Sequence, residues 1–128
     1  MTMTGTLADA PRLIDDGAEL PAEIALNVYR GDNRSWVFRL WADAEQTIPY
    51  SLVQVTEVTA QIRRSPDDRT AVVLRTQVVQ PNYVFCHLDA SVSAVCPSGR
   101  WDLQLLFPGS RVLTVIRGPV TVTPDVTR

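Results

Sequence analysis

Residues 57–63, Glu57-Val58-Thr59-Ala60-Gln61-Ile62-Arg63, decide the fold class. Apolar Val58, Ala60 and Ile62 alternate with polar Glu57, Thr59, Gln61 and Arg63. Successive side chains of a strand point to opposite faces, so a period of two predicts a half-buried strand rather than a helix. The same period extends in both directions. Upstream, Ile24, Leu26 and Val28 alternate with Ala25, Asn27 and Tyr29, and Trp36, Phe38 and Leu40 alternate with Val37, Arg39 and Trp41. Downstream, Val72–Val79 is rich in β-branched residues, which favour strands. Tyr83–Leu88, Arg100–Phe107 and Val112–Arg117 follow, and Val120–Thr123 comes after a Gly118-Pro119 break.

Turn chemistry separates these runs. Gly31-Asp32-Asn33, Ser65-Pro66-Asp67-Asp68, Gln80-Pro81-Asn82, Pro97-Ser98-Gly99 and Pro108-Gly109-Ser110 are turn or loop sequences. Spacing of this kind predicts an all-β chain: an antiparallel, immunoglobulin-like β-sandwich of about seven to eight strands. An antiparallel sheet with one apolar face must be covered, and a second such sheet covers it. The expected inner layer is Leu26, Val28, Trp36, Phe38, Leu40, Val58, Ile62, Leu74, Val84, Leu88, Trp101, Leu103, Leu105 and Ile116. Trp41, Leu106 and Val115 are out of phase with their neighbours, so those strands either bulge or turn apolar groups outward. The one expected helical turn lies around Ala90–Val95, with Asp89 or Ser91 as its cap.

The remaining segment, residues 1–20, is polar, rich in Thr, Ala and Asp, and lacks the alternation. It reads as an extended N-terminal arm beside a sandwich domain of residues 21–128, packing on that domain or on a neighbour. Leu7, Arg12, Leu13 and Ile14 in the arm, with Trp41, are the candidate assembly contacts. Apolar groups dock in such contacts while charged ones pair at the rim.

Composition narrows the partners. The chain has 128 residues, 45% hydrophobic and 20% charged, with a formal net charge of −2. That is enough for one domain with a real core and too little net charge to draw in nucleic acid or an anionic membrane. All 12 basic residues are Arg. Arginine is enriched at interface cores, where Lys is depleted. A GC-rich genome, whose codons disfavour Lys, gives the same pattern. Met1–Ala10 has neither the basic start nor the apolar core of a secretory leader, and no run of about 18 apolar residues is present. The expectation is a chain made in a host cytoplasm, with neither a membrane nor a nucleic acid as partner.

Reactive groups are sparse. Cys86 and Cys96 read as free thiols, since free Cys is commonly buried as a small hydrophobe. His87 is the single histidine. Its neighbour Cys86 points to the opposite face of a strand, so the two do not share one metal or catalytic site. A Ser-His-Asp set assembled around His87 lacks a nucleophile elbow. Asp15-Asp16 and Asp67-Asp68 read as solvated loop charges without calcium-loop spacing. Arg30-Gly31-Asp32 spells an adhesion tripeptide but also makes the turn between two strands. No enzyme, cofactor or metal site is expected.

The order of the motifs resembles a family of small β-sandwich proteins and domains from tailed bacteriophages. The family includes the N-terminal domains of baseplate upper proteins and short minor tail proteins of actinobacterial phages. The resemblance rests on Gly31-Asp32 before Trp36-Val37-Phe38-Arg39-Leu40, and on Ala60-Gln61-Ile62-Arg63. It continues with Gly99-Arg100-Trp101-Asp102-Leu103-Gln104, the Gly118–Val122 pattern and the Asp125–Arg128 end. Trp101 stands where the family often has Tyr, and residues 1–20 fall outside the pattern. The resemblance covers roughly residues 24–128 and implies a virion structural protein of the tail tip, baseplate or fibre attachment region. Its partners would be other virion proteins or further copies of itself in a symmetric ring. Alternatives are a capsid-surface or head–tail joining protein, or a carbohydrate-binding sandwich that recognises a host surface. For the last, Trp41 and Tyr50 are the rings to watch.

Overall fold

The computed structural model describes residues 6–10, 21–43 and 45–124. In chain order its elements are β1 (Thr6–Ala10), β2 (Ala22–Glu23), β3 (Leu26–Tyr29), β4 (Arg34–Leu40), β5 (Glu57–Arg63) and β6 (Val72–Val73). Then come β7 (Arg75–Val79), β8 (Tyr83–Leu88), α1 (Ala90–Ser93), β9 (Gly99–Phe107) and β10 (Arg111–Thr123). They form two sheets. One has the order β1-β4-β8-β7; the other has the order β2-β10-β9-β5-β6, with β3 also beside β10. The trio β4-β8-β7 facing β10-β9-β5 is the B-E-D against G-F-C arrangement of an immunoglobulin-type sandwich.

The alternation that predicts the strands also predicts the core. Every residue of the expected inner layer is buried. Antibody domains tie strands B and F with a disulfide. Here Phe38 of β4 stacks on Trp101 of β9, with ring centroids 5.3 Å apart, while Cys86 and Cys96 are free and buried. Burying such rings contributes several kcal/mol between them, so the sheets need no covalent tie.

Several local expectations change. The sheets are not wholly antiparallel, because β1 runs parallel to β4, and β2 and β3 run parallel to β10. Strand β1 lies within the segment read as an arm; its Leu7 is in register with Val37. Val72–Val79 is one run shared by two sheets: β6 pairs with β5, β7 pairs with β8, and the chain crosses at buried Leu74. Gly99, read as part of a turn, opens β9.

Gly118-Pro119 does not end a strand. Strand β10 runs through it, and the break falls in the neighbour, between β2 and β3. A Cβ at Gly118 would lie 2.1 Å from the Ile24 carbonyl oxygen. That oxygen instead accepts a 2.8 Å hydrogen bond from the Trp101 indole Nε1, reaching across the bare glycine. The out-of-phase Val115 has a similar local cause. The β9–β10 register slips between Thr114 and Ile116, and the bulge turns both Val115 and Ile116 inward.

Candidate functional site

The loops of the sandwich gather at two ends with different characters. At the first end lie the β3–β4 turn, the β5–β6 loop and the β8–β9 connection, and side chains brace it. Gly31 takes φ +89°, and its N–H donates to Ser93 Oγ at 3.0 Å. Buried Ser93 in turn donates to the Asp32 carbonyl at 2.7 Å. The Gly31-Asp32 tripeptide segment is thus a turn pinned to α1. Asp89 precedes α1 at the cap position, yet its carboxylate does not cap; Asn33 Oδ1 accepts from the Ala90 N–H instead, at 2.8 Å.

Asp89 is otherwise engaged. Ser35, His87 and Arg75 form one cross-strand row on β4, β8 and β7. Ser35 Oγ lies 2.5 Å from His87 Nδ1, and His87 Nε2 lies 3.1 Å from Asp89 Oδ1. The same oxygen accepts from Arg75 at 2.8 Å. The register thus brings serine, histidine and aspartate into series, which sequence spacing does not reveal. The backbones of Ser35 and His87 face each other in the β4–β8 ladder, and the aspartate is shared with an arginine. The network joins three strands to the start of α1, which makes it a brace.

The opposite end is open. It consists of the long β4–β5 loop, the β7–β8 turn and the β9–β10 hairpin. The loop is fixed from below. Leu40 N–H donates to the Asn82 carbonyl and Asn82 Nδ2 donates back to the Leu40 carbonyl, both at 2.9 Å. Leu52 N–H donates to Pro81, and Gln80 Nε2 donates to Leu52. Tyr50 and Leu52 plug the core. Above them, Asp43 accepts from the Thr47 hydroxyl and from the Ile48 N–H, and these bonds hold its carboxyl below the usual range.

The fixed loop then presents apolar side chains to solvent. Ile48 is 58% exposed, Val53 73% and Val112 52%. Tyr50, Ser51, Val53, Gln54 and Phe107 line a hollow of about 310 Å³ between the loop and the hairpin. The Arg111 guanidinium sits 4.7 Å from the centre of the Phe107 ring. A loop tied down by hydrogen bonds that exposes branched apolar residues beside a hollow is suited to contact with another protein surface.

Of the expected contact residues, Trp41 belongs to this end. It bridges to Pro49, and the Arg39 guanidinium lies over its ring. Leu7 sits in β1 with its backbone opposite Val37. Arg12, Leu13 and Ile14, like Asp15-Asp16, lie outside the described residues. Tyr50 is only 8% exposed and offers no open ring for a sugar. The sequence reading missed Ile48 and Val53, whose one signal is apolar character inside a stretch without alternation. No helix among the described residues is long and apolar enough to cross a membrane.

Fold and surfaces together define an immunoglobulin-type sandwich with one braced end and one apolar loop end. No known family model matches the chain, and no curated protein sequence matches it.

Proposed function

We propose that the protein is a structural subunit of a tailed-phage virion, in the tail tip, baseplate or fibre attachment region, and that it works through contacts made by its open end. The observation that carries this reading is the fixed β4–β5 loop with Ile48 and Val53 exposed beside Phe107 and Val112. Exposed branched apolar groups on an anchored loop lose little conformational freedom on docking, which favours repeated weak contacts in a ring. The motif order described above supports the phage assignment.

The test has two parts. Mass spectrometry of purified particles should find the chain in stoichiometric amounts; absence from particles overturns the virion role. An Ile48→Asp, Val53→Asp double variant should keep the wild-type melting midpoint within a few degrees but fail to enter particles. Normal incorporation of that variant moves the contact away from the open end.

A further inference from the structure

The outer face of the six-stranded sheet carries a second feature, distant from the apolar loops. Outward residues of β5, β9 and β10 line up in cross-strand rows: Gln61–Asp102–Arg117 in one, Arg63 opposite Arg100 in the next. A half-open cavity of about 320 Å³ sits over these rows, walled by Pro21 on one side and Ser65-Pro66 on the other. Its floor mixes charge signs in an ordered way. Arg117 is held by Glu23, 2.9 Å from its Nε. Arg63 donates to the Asp68 carbonyl and to Gln61 Oε1. Gln61 itself lines the cavity, and its oxygen is taken by Arg63. Among the described residues, Arg100 makes a 3.7 Å ion-pair approach to Glu23, and its side chain is 52% exposed. Asp102 lies partly buried between Gln61 and Arg117. Burial raises its carboxyl above the ordinary range, and nearby Arg63 draws it back.

Each part of this floor selects a chemistry. The Arg100 guanidinium is a planar donor fork suited to a carboxylate. Asp102 is an acceptor for hydroxyl donors, and it repels a ligand that is only an anion. Gln61, Ser65 and Thr114 add amide and hydroxyl partners. Successive outward rows of a sheet are about 7 Å apart. That span lets Arg100 hold one edge of a sugar ring while Asp102 meets the hydroxyls on the other edge. The volume is at the small end for ligand sites, enough for one ring.

We propose that this cavity binds one residue of an acidic saccharide, a pyranose carrying a carboxylate and neighbouring hydroxyls, with Arg100 gripping the carboxylate and Asp102 the hydroxyls. The inference is independent of the open-end reading, because it uses another face.

The experiment is an amide NMR titration of the intact protein with methyl glucuronide, methyl glucoside, acetate and alanine in turn. Methyl glucuronide should shift the amides of residues 61–65 and 100–102 with a single saturating curve. Methyl glucoside and acetate should each bind about tenfold more weakly or worse, the effect of losing one charged or several neutral hydrogen bonds. Arg100→Gln should weaken the glucuronide to the level of the glucoside, and Asp102→Asn should weaken the glucoside while tightening acetate, because the repelling charge is gone. No shift with the glucuronide overturns the proposal. Acetate binding as tightly as the glucuronide overturns it in favour of a simple anion site, and tighter binding of alanine overturns it in favour of a zwitterion site.

Discussion

The two ends of the sandwich are built from the same strands, yet glycine means different things at each. Towards the braced end, a Cβ on Gly99 would lie 2.0 Å from the Arg63 carbonyl oxygen, and one on Gly118 would meet Ile24. In the open-end hairpin, Gly109 has φ +80° and nothing within 4 Å of where its Cβ would be. Besides turning the chain at Gly31, the braced end needs glycine where backbones touch; the open-end hairpin needs it only to turn. The difference teaches where the fold tolerates change: one end is fixed by close packing, the other is free to carry contacts.

The largest effect should come from adding a methyl group at each glycine. Gly118→Ala should cost more than about 4 kcal/mol or abolish folding, since the clash is with backbone. Gly109→Ala should cost only about 1–2 kcal/mol for the left-handed conformation. Equal costs in urea denaturation would erase the contrast.

Next in size, Trp101→Ala should destabilise by about 3–5 kcal/mol, through a lost ring stack and an orphaned Ile24 carbonyl. Val53→Ala at the open end should change stability by less than about 0.5 kcal/mol. Ser93→Ala tests the brace alone. It strips the Gly31 N–H and the Asp32 carbonyl of their partner, and a loss of about 1–3 kcal/mol is expected, read by thermal melting. A neutral result would mean that water substitutes for the hydroxyl and the end is not braced by it.

The smallest effect concerns the interior that both ends share. Burial pushes the Cys86 thiol up from 9.0 to about 12. The unfolded chain ionises it first, so this group leaves stability unchanged below about pH 9 and lowers it as pH climbs towards about 12. At pH 10 the loss should be about 1 kcal/mol, and Cys86→Ala should shrink the alkaline limb by that amount, leaving the part that buried Cys96 and Tyr50 contribute. An undiminished limb in the variant assigns it to those groups instead.

Much of the fold was legible because the period of two leaves a direct imprint. Val58, Ala60 and Ile62 point one way on any sheet, whatever their partners, and all are buried. Pairing was less legible. Gly118-Pro119 looks like a stop, but the local chemistry does not say that the gap opens in the neighbouring strand. Buried Tyr50 and Leu52 escaped because they sit in a loop, where hydrogen bonds to the Leu40 and Pro81 carbonyls replace alternation as the organising force. The sites suffered most. His87 was visible, with Asp89 two positions on, but Ser35 and Arg75 meet it only through strand register. Asp102 and Arg100 were quoted as a motif, yet their cavity needs Gln61 and Arg63 from a strand some 40 positions earlier.

Strand β1 runs with β4, and β10 runs with β3. Since β4 starts at the braced end and β3 finishes there, β1 enters and β10 leaves at that same end. This gives the domain a polarity, like a plug with its cable on one side and its pins on the other. A tether placed upstream of β1 or downstream of β10 pulls from behind, and the apolar loops face away from it. A linker fused at either side therefore leaves the pins clear, with Ile48 and Val53 on the far side of the domain from it.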